Sequence, residues 1–154
     1  MTTKVHLSAD SRCRPVSRAI SSGRRHDMIG FIPVMDNIWI RRSGRGTPRR
    51  RPGRLLADKA YTARAVRAEC RRRKIKATIP EKETQLADRE AKGSRGGRPY
   101  AFDREFYKQR NIVERCINKL KAFRGIATRY DKRAHMYEAA VDIVSIKIWL
   151  RALT

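Results

Sequence analysis

Four polar side chains spaced along one predicted helix could take part in phosphate chemistry. Tyr107, Arg110, Glu114 and Lys121 follow one another at intervals of three, four and seven residues. At about 100° per residue, they lie within roughly 60° on one helix face. The carboxylate could bind a metal ion, while Arg110 and Lys121 could hold DNA phosphates. The alternative is an ordinary ion pair between Arg110 and Glu114 on a solvated face, worth about 0.2–0.5 kcal/mol.

Asp58 is a second candidate for carboxylate chemistry. It follows Leu55-Leu56-Ala57, a predicted buried strand, and ligand sites of α/β sheets gather at the carboxyl ends of strands. The alternative is a loop aspartate that starts the next helix. Mg²⁺ usually takes one or two carboxylates, with phosphate completing its shell, and two such ions serve phosphodiester cleavage. We therefore expect the carboxylates of Asp58 and Glu114 to share a metal site, within about 10 Å of each other.

The elements that must position these residues predict a mixed α/β sheet. Alternation of apolar and polar residues predicts two hairpin strands near the N-terminus. Apolar residues at helical spacing predict a helix from Met28 to Ile38, with Asp27 as its N-terminal cap. Separated helices and strands follow, which favours an α/β class. The later predicted elements are a strand at 55–57, a helix at 61–74, a strand at 75–79, a helix at 103–123, an extended piece at 127–130 and a helix at 134–150. Trp39 and Trp149 are predicted core residues.

Two polar segments interrupt this pattern. Residues 41–54 contain Gly, Pro and seven Arg, and predict a basic linker. Residues 81–100 are polar and end in Gly-Ser-Arg-Gly-Gly-Arg-Pro-Tyr, which predicts a mobile loop.

The charge of the chain indicates a polyanionic partner. Its 154 residues include 38 Lys or Arg and 15 Asp or Glu, a formal net charge of +23. Residues 41–76 alone hold 15 basic and 2 acidic side chains, so nucleic acid is the simplest partner. The arginine runs within this stretch are the predicted phosphate contacts: Arg49, Arg50, Arg51, Arg71, Arg72 and Arg73.

Other partners and compartments are less compatible with the sequence. Cys13, Cys70 and Cys116 are far apart, which excludes zinc spacing and is typical of reduced thiols in the cytosol. The most apolar stretch, Ala139 to Leu150, is interrupted by charges and is shorter than the roughly 20 residues that span a bilayer.

The chain resembles bacterial insertion-sequence transposases of the DDE type. The Tyr107, Arg110, Glu114 and Lys121 spacing matches their signature, and Ala-Asp-Lys-Ala-Tyr at 57–61 is similar to the segment of their second catalytic Asp. The resemblance covers nearly the whole chain. It includes further similar segments at 2–7, 79–82, 96–99 and 129–132.

The resemblance implies a ribonuclease H-like mixed sheet flanked by helices. It implies Mg²⁺-dependent DNA cleavage and strand transfer at transposon ends and targets, with Mn²⁺ as an alternative ion. Asp58 would be the second catalytic carboxylate and Glu114 the third, both as metal ligands. Tyr107, Arg110 and Lys121 would contact DNA near the scissile phosphate. The expected location is the bacterial cytoplasm, at the nucleoid.

One feature of the family is not found among these residues. In the family, the first catalytic Asp lies on a strand before the N-terminal hairpin, and Asp10 lies in the hairpin turn. We therefore expect residues 1–154 to form an incomplete catalytic domain without its first strand, inactive in isolation. Such a chain could form a homo-oligomer or associate with an N-terminal transposase segment.

Two alternatives belong to other functional classes. The chain could be a non-catalytic DNA-binding product that inhibits or modulates a full-length transposase. It could also be a basic RNA-binding protein of ribosomal type, although such a protein does not need a glutamate within a basic helix face.

Overall fold

The computed structural model describes residues 3–128 and 133–152, which divide into two compact units. The terminal unit comprises Met1–Arg51 with Asn111–Thr154, and the central unit comprises Pro52–Arg110. Each unit contains helices and one described two-stranded sheet, so the predicted α/β class is confirmed. The first boundary between the units falls inside the predicted basic linker, residues 41–54.

An antiparallel hairpin opens the terminal unit, as the alternating sequence predicts. Strand β1 (Thr3–Ala9) pairs with β2 (Pro15–Ser22), with Val5 opposite Ile20. Asp10 fixes the turn, because its Oδ1 accepts hydrogen bonds from backbone N–H groups at distances of 2.9 and 3.0 Å.

The core of the terminal unit lies between the hairpin and the C-terminal helices. These are α5 (Asn111–Lys121), α6 (Arg124–Thr128) and α7 (Ala134–Arg151). Apolar side chains from all three are buried together, and hairpin residues pack against them. The buried members are Leu120, Ile126, Tyr137, Val141, Val144 and Ile148.

An ion-pair network joins the hairpin to α7. The guanidinium of Arg18 on β2 contacts the carboxylates of Glu138 and Asp142, and its Nε donates to Asp142 at 2.5 Å. These side chains are only partly exposed, so the network orients the sheet on the helix more firmly than a fully solvated pair would.

The predicted helix after the hairpin is shorter than its periodicity indicates. A 3-10 turn (Asp27–Gly30) precedes α1 (Phe31–Asp36), and His26 rather than Asp27 is the capping residue. The Asp27 carboxylate instead accepts a hydrogen bond from Lys4 at 2.8 Å.

The two tryptophans differ in burial. The prediction that Trp39 is a core residue is wrong, because its side chain is 53% exposed just after α1. Trp149 is half-buried and donates its indole N–H to the carbonyl of Pro15 at 2.6 Å.

The central unit contains a short parallel pair of strands. Strand β3 (Arg54–Leu56) pairs with β4 (Lys76–Thr78), and α2 (Arg64–Arg72) connects them. The predicted buried strand at 55–57 is only half-buried. The apolar side chains that are buried in this unit come from α2 and from the residues flanking β4: Val66, Cys70, Ile75 and Ile79.

The predicted loop at 81–100 contains a helix, so that prediction is wrong for residues 83–91. Helix α3 (Glu83–Ala91) is followed by a 3-10 turn at Gly93–Gly96. Gln85 caps α3 by accepting from the Lys82 N–H at 3.2 Å. Arg89 pairs with Glu81 across the start of the helix at 2.5 Å.

The predicted long helix at 103–123 is interrupted. Asp103 caps α4 (Arg104–Tyr107), accepting from the Phe106 N–H at 2.9 Å, but a 3-10 turn (Lys108–Arg110) separates α4 from α5. All three residues of that turn are exposed and polar, so no buried apolar side chain holds them in α-helical geometry. At 127–128 the predicted extended piece is wrong, because these residues belong to α6; positions 129–130 lie outside the described residues.

Candidate functional site

Asp58 lies two residues beyond the end of β3 and is exposed. Its carboxylate caps the 3-10 turn Lys59–Tyr61 and accepts a hydrogen bond from the Lys59 N–H at 2.6 Å. Asp58 therefore follows a strand and also starts a turn, and its role as a metal ligand stays a prediction. The hydrogen bond orients the carboxylate while leaving it accessible to a ligand.

Glu114 lies in the first turn of α5 and is exposed. Within the described ranges, no hydrogen bond or ion pair involves its carboxylate. The same helix anchors itself through Cys116 and Leu120, which are buried. A carboxylate in the first turn of a helix is also stabilised by the helix dipole, by about 0.3–1 kcal/mol. Glu114 is therefore an exposed carboxylate on a helix that buried side chains anchor.

The remaining signature residues lie at the ends of short helices. Tyr107 ends α4, and its half-buried ring lies 5.0 Å from the ring of Phe102. Arg110 ends the 3-10 turn and is exposed, and Lys121 ends α5 and is exposed.

The signature lies on α4, a 3-10 turn and α5 rather than on one continuous α-helix, so the prediction of an uninterrupted helix is wrong. A face shared by all four residues stays a prediction. Within α5, Glu114 and Lys121 are seven residues apart and about 20° from each other on the helical wheel. Asp58, Tyr107 and Arg110 belong to the central unit, and Glu114 and Lys121 to the terminal unit. A shared metal site of Asp58 and Glu114 stays a prediction.

The candidate metal ligands are of the right chemical type for a hard divalent cation. Asp58 and Glu114 offer exposed carboxylate oxygens, and Mg²⁺ commonly binds proteins through one or two carboxylates. The part of the chain that the structure describes contains no group of three or more His, Cys, Asp or Glu side chains arranged to hold a metal ion.

Three other aspartates, Asp10, Asp27 and Asp142, take part in hydrogen bonds or ion pairs. Asp10 accepts from the Arg14 side chain at 2.7 Å; burial alone would raise its pKa, but the bonds from Arg14 lower it overall. The hydrogen bond from Lys4 lowers the pKa of Asp27. Asp142 is paired with Arg18. The contacts of Asp10 stabilise the hairpin turn.

The first arginine run lies on the surface. Arg49, Arg50 and Arg51 are all exposed. Arg49 forms a backbone bridge with Ile40 through bonds of 2.8 and 3.0 Å, and its side-chain Nε donates to the Arg51 carbonyl at 3.1 Å. The bridge holds the backbone at Arg49, and all three side chains of the run remain exposed.

The second arginine run is partly neutralised by one glutamate. Arg72 and Arg73 both donate to the carboxylate of Glu69, at distances between 2.5 and 2.8 Å. These hydrogen bonds lower the pKa of Glu69 to about 2. The Arg73 side chain is only 14% exposed, whereas Arg71 is exposed. Within this run, Arg71 is exposed, and Arg72 is also 69% exposed although it is paired with Glu69.

Arg67 is a buried cation that sequence analysis did not identify. It donates to the carbonyl of Ile79 at 2.8 Å and to Thr62 at 3.2 Å, and its guanidinium lies 4.1 Å from the ring centre of Tyr100. Burial lowers its pKa. A signal was present, because Arg67 follows Val66 and precedes Cys70 on the buried side of α2.

Comparison with known proteins decides the family. The family model for the transposase DDE domain matches residues 1–143. The chain belongs to this family. The resemblance to DDE-type insertion-sequence transposases is therefore confirmed, and no solved structure matches the chain.

Two curated relatives carry the same designation. One is named "Putative transposase for insertion sequence element IS402", from Burkholderia cepacia, and is 28% identical over 141 residues, which is 92% of this chain and 59% of the relative. The other is named "Putative transposase for insertion sequence element IS6501", from Brucella ovis (strain ATCC 25840 / 63/290 / NCTC 10512). It is 29% identical over 151 residues, 98% of this chain and 100% of the relative. This transposase-family chain thus spans little more than half of the Burkholderia relative.

The described helices also bear on the length of the apolar stretch at 139–150. Among residues 3–128 and 133–152, no helix of this DDE-family chain is both long and apolar enough to cross a bilayer.

Proposed function

We propose that this chain acts in the transposition of a DNA insertion sequence, through metal-dependent cleavage and strand transfer. The observation that carries the proposal is the match to the transposase DDE domain, which extends over Asp58, Glu114 and the rest of the signature. The two-stranded sheets and helices of the units are compatible with a ribonuclease H-like domain, which forms part of the proposal.

In this proposal, Asp58 and Glu114 are the second and third catalytic carboxylates. Their exposed oxygens suit a divalent cation, and we propose Mg²⁺. When bound, such an ion stabilises negative charge on a phosphate under attack. The exposed position of Glu114 on a helix that buried Cys116 and Leu120 anchor supports its assignment.

The cationic signature residues would hold DNA. Arg110 can grip a phosphate bidentately, and Lys121 adds a point charge on the same α5 face as Glu114. Tyr107 offers a phenol hydroxyl, and its ring packs against the ring of Phe102. These groups would orient the backbone of DNA rather than select its sequence.

The first catalytic carboxylate is proposed to come from another transposase segment. Asp10 is engaged in the hairpin turn, and Asp27 and Asp142 are in ion pairs. With two of three carboxylates, the 154-residue chain would bind DNA without cleaving it, because losing one member of a cooperating unit removes most of the chemistry.

A nicking assay on a labelled transposon end tests this proposal. We expect no Mg²⁺- or Mn²⁺-dependent cleavage from the 154-residue chain. We expect cleavage from a fusion that adds an N-terminal transposase segment bearing the first catalytic Asp. Glu114→Ala in the fusion should abolish cleavage without weakening DNA binding, because it removes an anion near phosphate.

Glu83→Ala provides the matched control, because Glu83 is also exposed in the first turn of a helix. It should leave cleavage in the fusion unchanged. Cleavage by the unfused chain, or by the Glu114→Ala fusion, would contradict the catalytic assignment.

The alternative function is a non-catalytic DNA-binding product that inhibits a full-length transposase. The exposed run Arg49, Arg50 and Arg51 favours it, since these cations bind phosphate without any metal chemistry. Adding the 154-residue chain to an active transposase reaction should then lower cleavage in proportion to its occupancy of transposon ends.

A further inference from the structure

Helix α7 is apolar on two opposite faces. Tyr137, Val141, Val144 and Ile148 are buried and lie within about 60° on one side. A second set lies on the other side within about 80° and is exposed. We call this second set the α7 stripe: Met136, Ala139, Ile143, Ile146 and Leu150.

The α7 stripe has the spacing of a helix-pairing seam. Met136, Ile143 and Leu150 recur every seven residues, and Ala139 and Ile146 fall three residues after the first two. This is the heptad pattern in which side chains of one helix insert between those of another. Ile143 is 67% exposed and Ile146 59%, so their apolar surface lies in solvent in the single chain. Contiguous apolar surface of this kind is typical of protein interaction sites.

The charges of α7 argue that its partner is not nucleic acid. The helix carries Glu138 and Asp142 against Lys147 and Arg151, so it is balanced in a chain of net charge +23. A polyanion gains little from a neutral apolar face, whereas another apolar helix gains from the burial of both surfaces.

The residues beside the stripe fit a second copy of the same helix. In heptad terms, Asp142 precedes Ile143 on one flank, and Lys147 follows Ile146 on the other. When two such helices run in the same direction, each Lys147 comes beside Asp142 of the second copy, five residues earlier. Asp142 remains 49% exposed while paired with Arg18, so it can accept a further cation. An antiparallel pair would not bring these two flanks together.

We propose that a second copy of this chain covers the α7 stripe, with the two α7 helices parallel and related by a twofold axis. The interface is self-complementary, as a twofold homodimer requires. It does not depend on the proposed catalytic residues.

Sedimentation velocity on the DNA-free chain provides the first test. We expect a dimer whose dissociation constant falls as salt rises, because screening weakens the repulsion between two copies of charge +23. The double variant Ile143→Glu, Ile146→Glu should weaken dimerisation at least about tenfold, because it places unpaired charges in the seam.

The control is Ile29→Glu with Ile32→Glu, two exposed isoleucines of the terminal unit outside α7. The control should dimerise as the original chain does. All variants should retain the same circular dichroism spectrum, since the substituted side chains are exposed. A monomer at every concentration, or equal weakening by the control, would overturn the proposal.

Cysteine cross-linking tests the direction of the helices. The native Cys13, Cys70 and Cys116 are buried, so they give little background. Leu150→Cys should cross-link to itself in a parallel pair, where the two positions are at the same level. A mixture of Ala139→Cys and Leu150→Cys chains that cross-links only between the two variants would indicate an antiparallel pair and contradict the proposed arrangement.

Discussion

Gly30 illustrates how tightly a single position can be constrained in the terminal unit. Its backbone lies against the buried imidazole of His6, and a Cβ at this position would lie 2.1 Å from the ring carbon Cγ. That distance is far inside van der Waals contact, so either the ring or the 3-10 turn would have to move.

We expect Gly30→Ala to lower the free energy of unfolding by about 1–3 kcal/mol, as overpacked cores do. Urea unfolding followed by circular dichroism measures this change. Gly44→Ala is the control, because no atom lies within 4 Å of a Cβ there, and it should change the free energy by less than about 1 kcal/mol. Equal effects of the two substitutions would show that His6 does not constrain Gly30.

His6 also predicts a pH dependence of stability. Burial lowers its pKa, partly opposed by the nearby Asp27 carboxylate, and its Nε2 lies 2.8 Å from the Ser21 hydroxyl. The unfolded chain therefore takes up a proton at higher pH than the folded chain. The stability contributed by neutral His6 is present above about pH 6.5 and is lost as the pH falls toward the lower folded pKa.

We expect the free energy of unfolding to fall between pH 7.5 and pH 5.5, and the His6→Gln variant to lose much of this dependence. Urea titrations at several pH values measure it, with the exposed His135→Gln as the control. An unchanged dependence in His6→Gln would assign the effect to another group.

At the scale of residues, the sequence indicates which side chains could do chemistry, but it does not indicate which side chains contact each other. Asp58 and Glu114 became candidates because a carboxylate at a strand end and another within a basic pattern are unusual, and their roles stay predictions. The contacts of Glu69 with Arg72 and Arg73 depend on side-chain rotamers, although i,i+3 and i,i+4 spacing permits them. The burial of Arg67 depends on Tyr100, which is distant in sequence.

At the scale of elements, Arg67 links α2 to the backbone that follows β4. Its guanidinium donates to the carbonyl of Ile79 and contacts the ring of Tyr100. Its Nε is buried without a described hydrogen-bond partner, so the residue already carries a desolvation cost. Methionine would fill similar space but would leave the Ile79 carbonyl without this donor.

We expect Arg67→Met to destabilise the central unit by about 1–3 kcal/mol, the usual cost of a buried acceptor left unpaired. Hydrogen exchange of amides in α2 and β4 would report the loss as faster exchange. Arg64→Met, at an exposed position of the same helix, is the control and should leave exchange nearly unchanged. If both variants exchange alike, the Arg67 bonds do not stabilise the unit.

The elements themselves were predictable where periodicity was strong. The hairpin and α7 follow from alternation and from a long helical pattern, and both formed near their expected bounds. Helix α3 was not predictable in this way, because it has no buried residue and depends on the Gln85 cap and the pair of Arg89 with Glu81. The 3-10 turn at Lys108–Arg110 was not predictable either, because a run of polar residues is compatible with both an α-helix and a 3-10 helix.

At the scale of the whole molecule, the +23 charge predicted a DNA partner, but not which cations remain accessible. Arg49, Arg50 and Arg51 are exposed, whereas Arg72 and Arg73 share Glu69 and Arg73 is largely covered. Charge counting treats the two runs as equal. Because all three of its side chains are exposed while Arg73 of the second run is largely covered, the first run is the better candidate for phosphate contacts.

Salt-dependent DNA binding distinguishes the two runs. Each phosphate contact adds about 0.9 to the slope of log affinity against log salt, so three lost contacts would reduce the slope by up to about 2.7. We expect Arg49, Arg50 and Arg51 changed together to Gln to approach this reduction. The same change at Arg71, Arg72 and Arg73 should reduce the slope by only about one contact, because Glu69 already occupies two of these guanidiniums. Fluorescence anisotropy with a labelled duplex of arbitrary sequence, titrated over a series of salt concentrations, measures both slopes. An equal reduction from the two triple variants would mean that DNA displaces Glu69 from its arginines, and the second run would then be part of the binding surface.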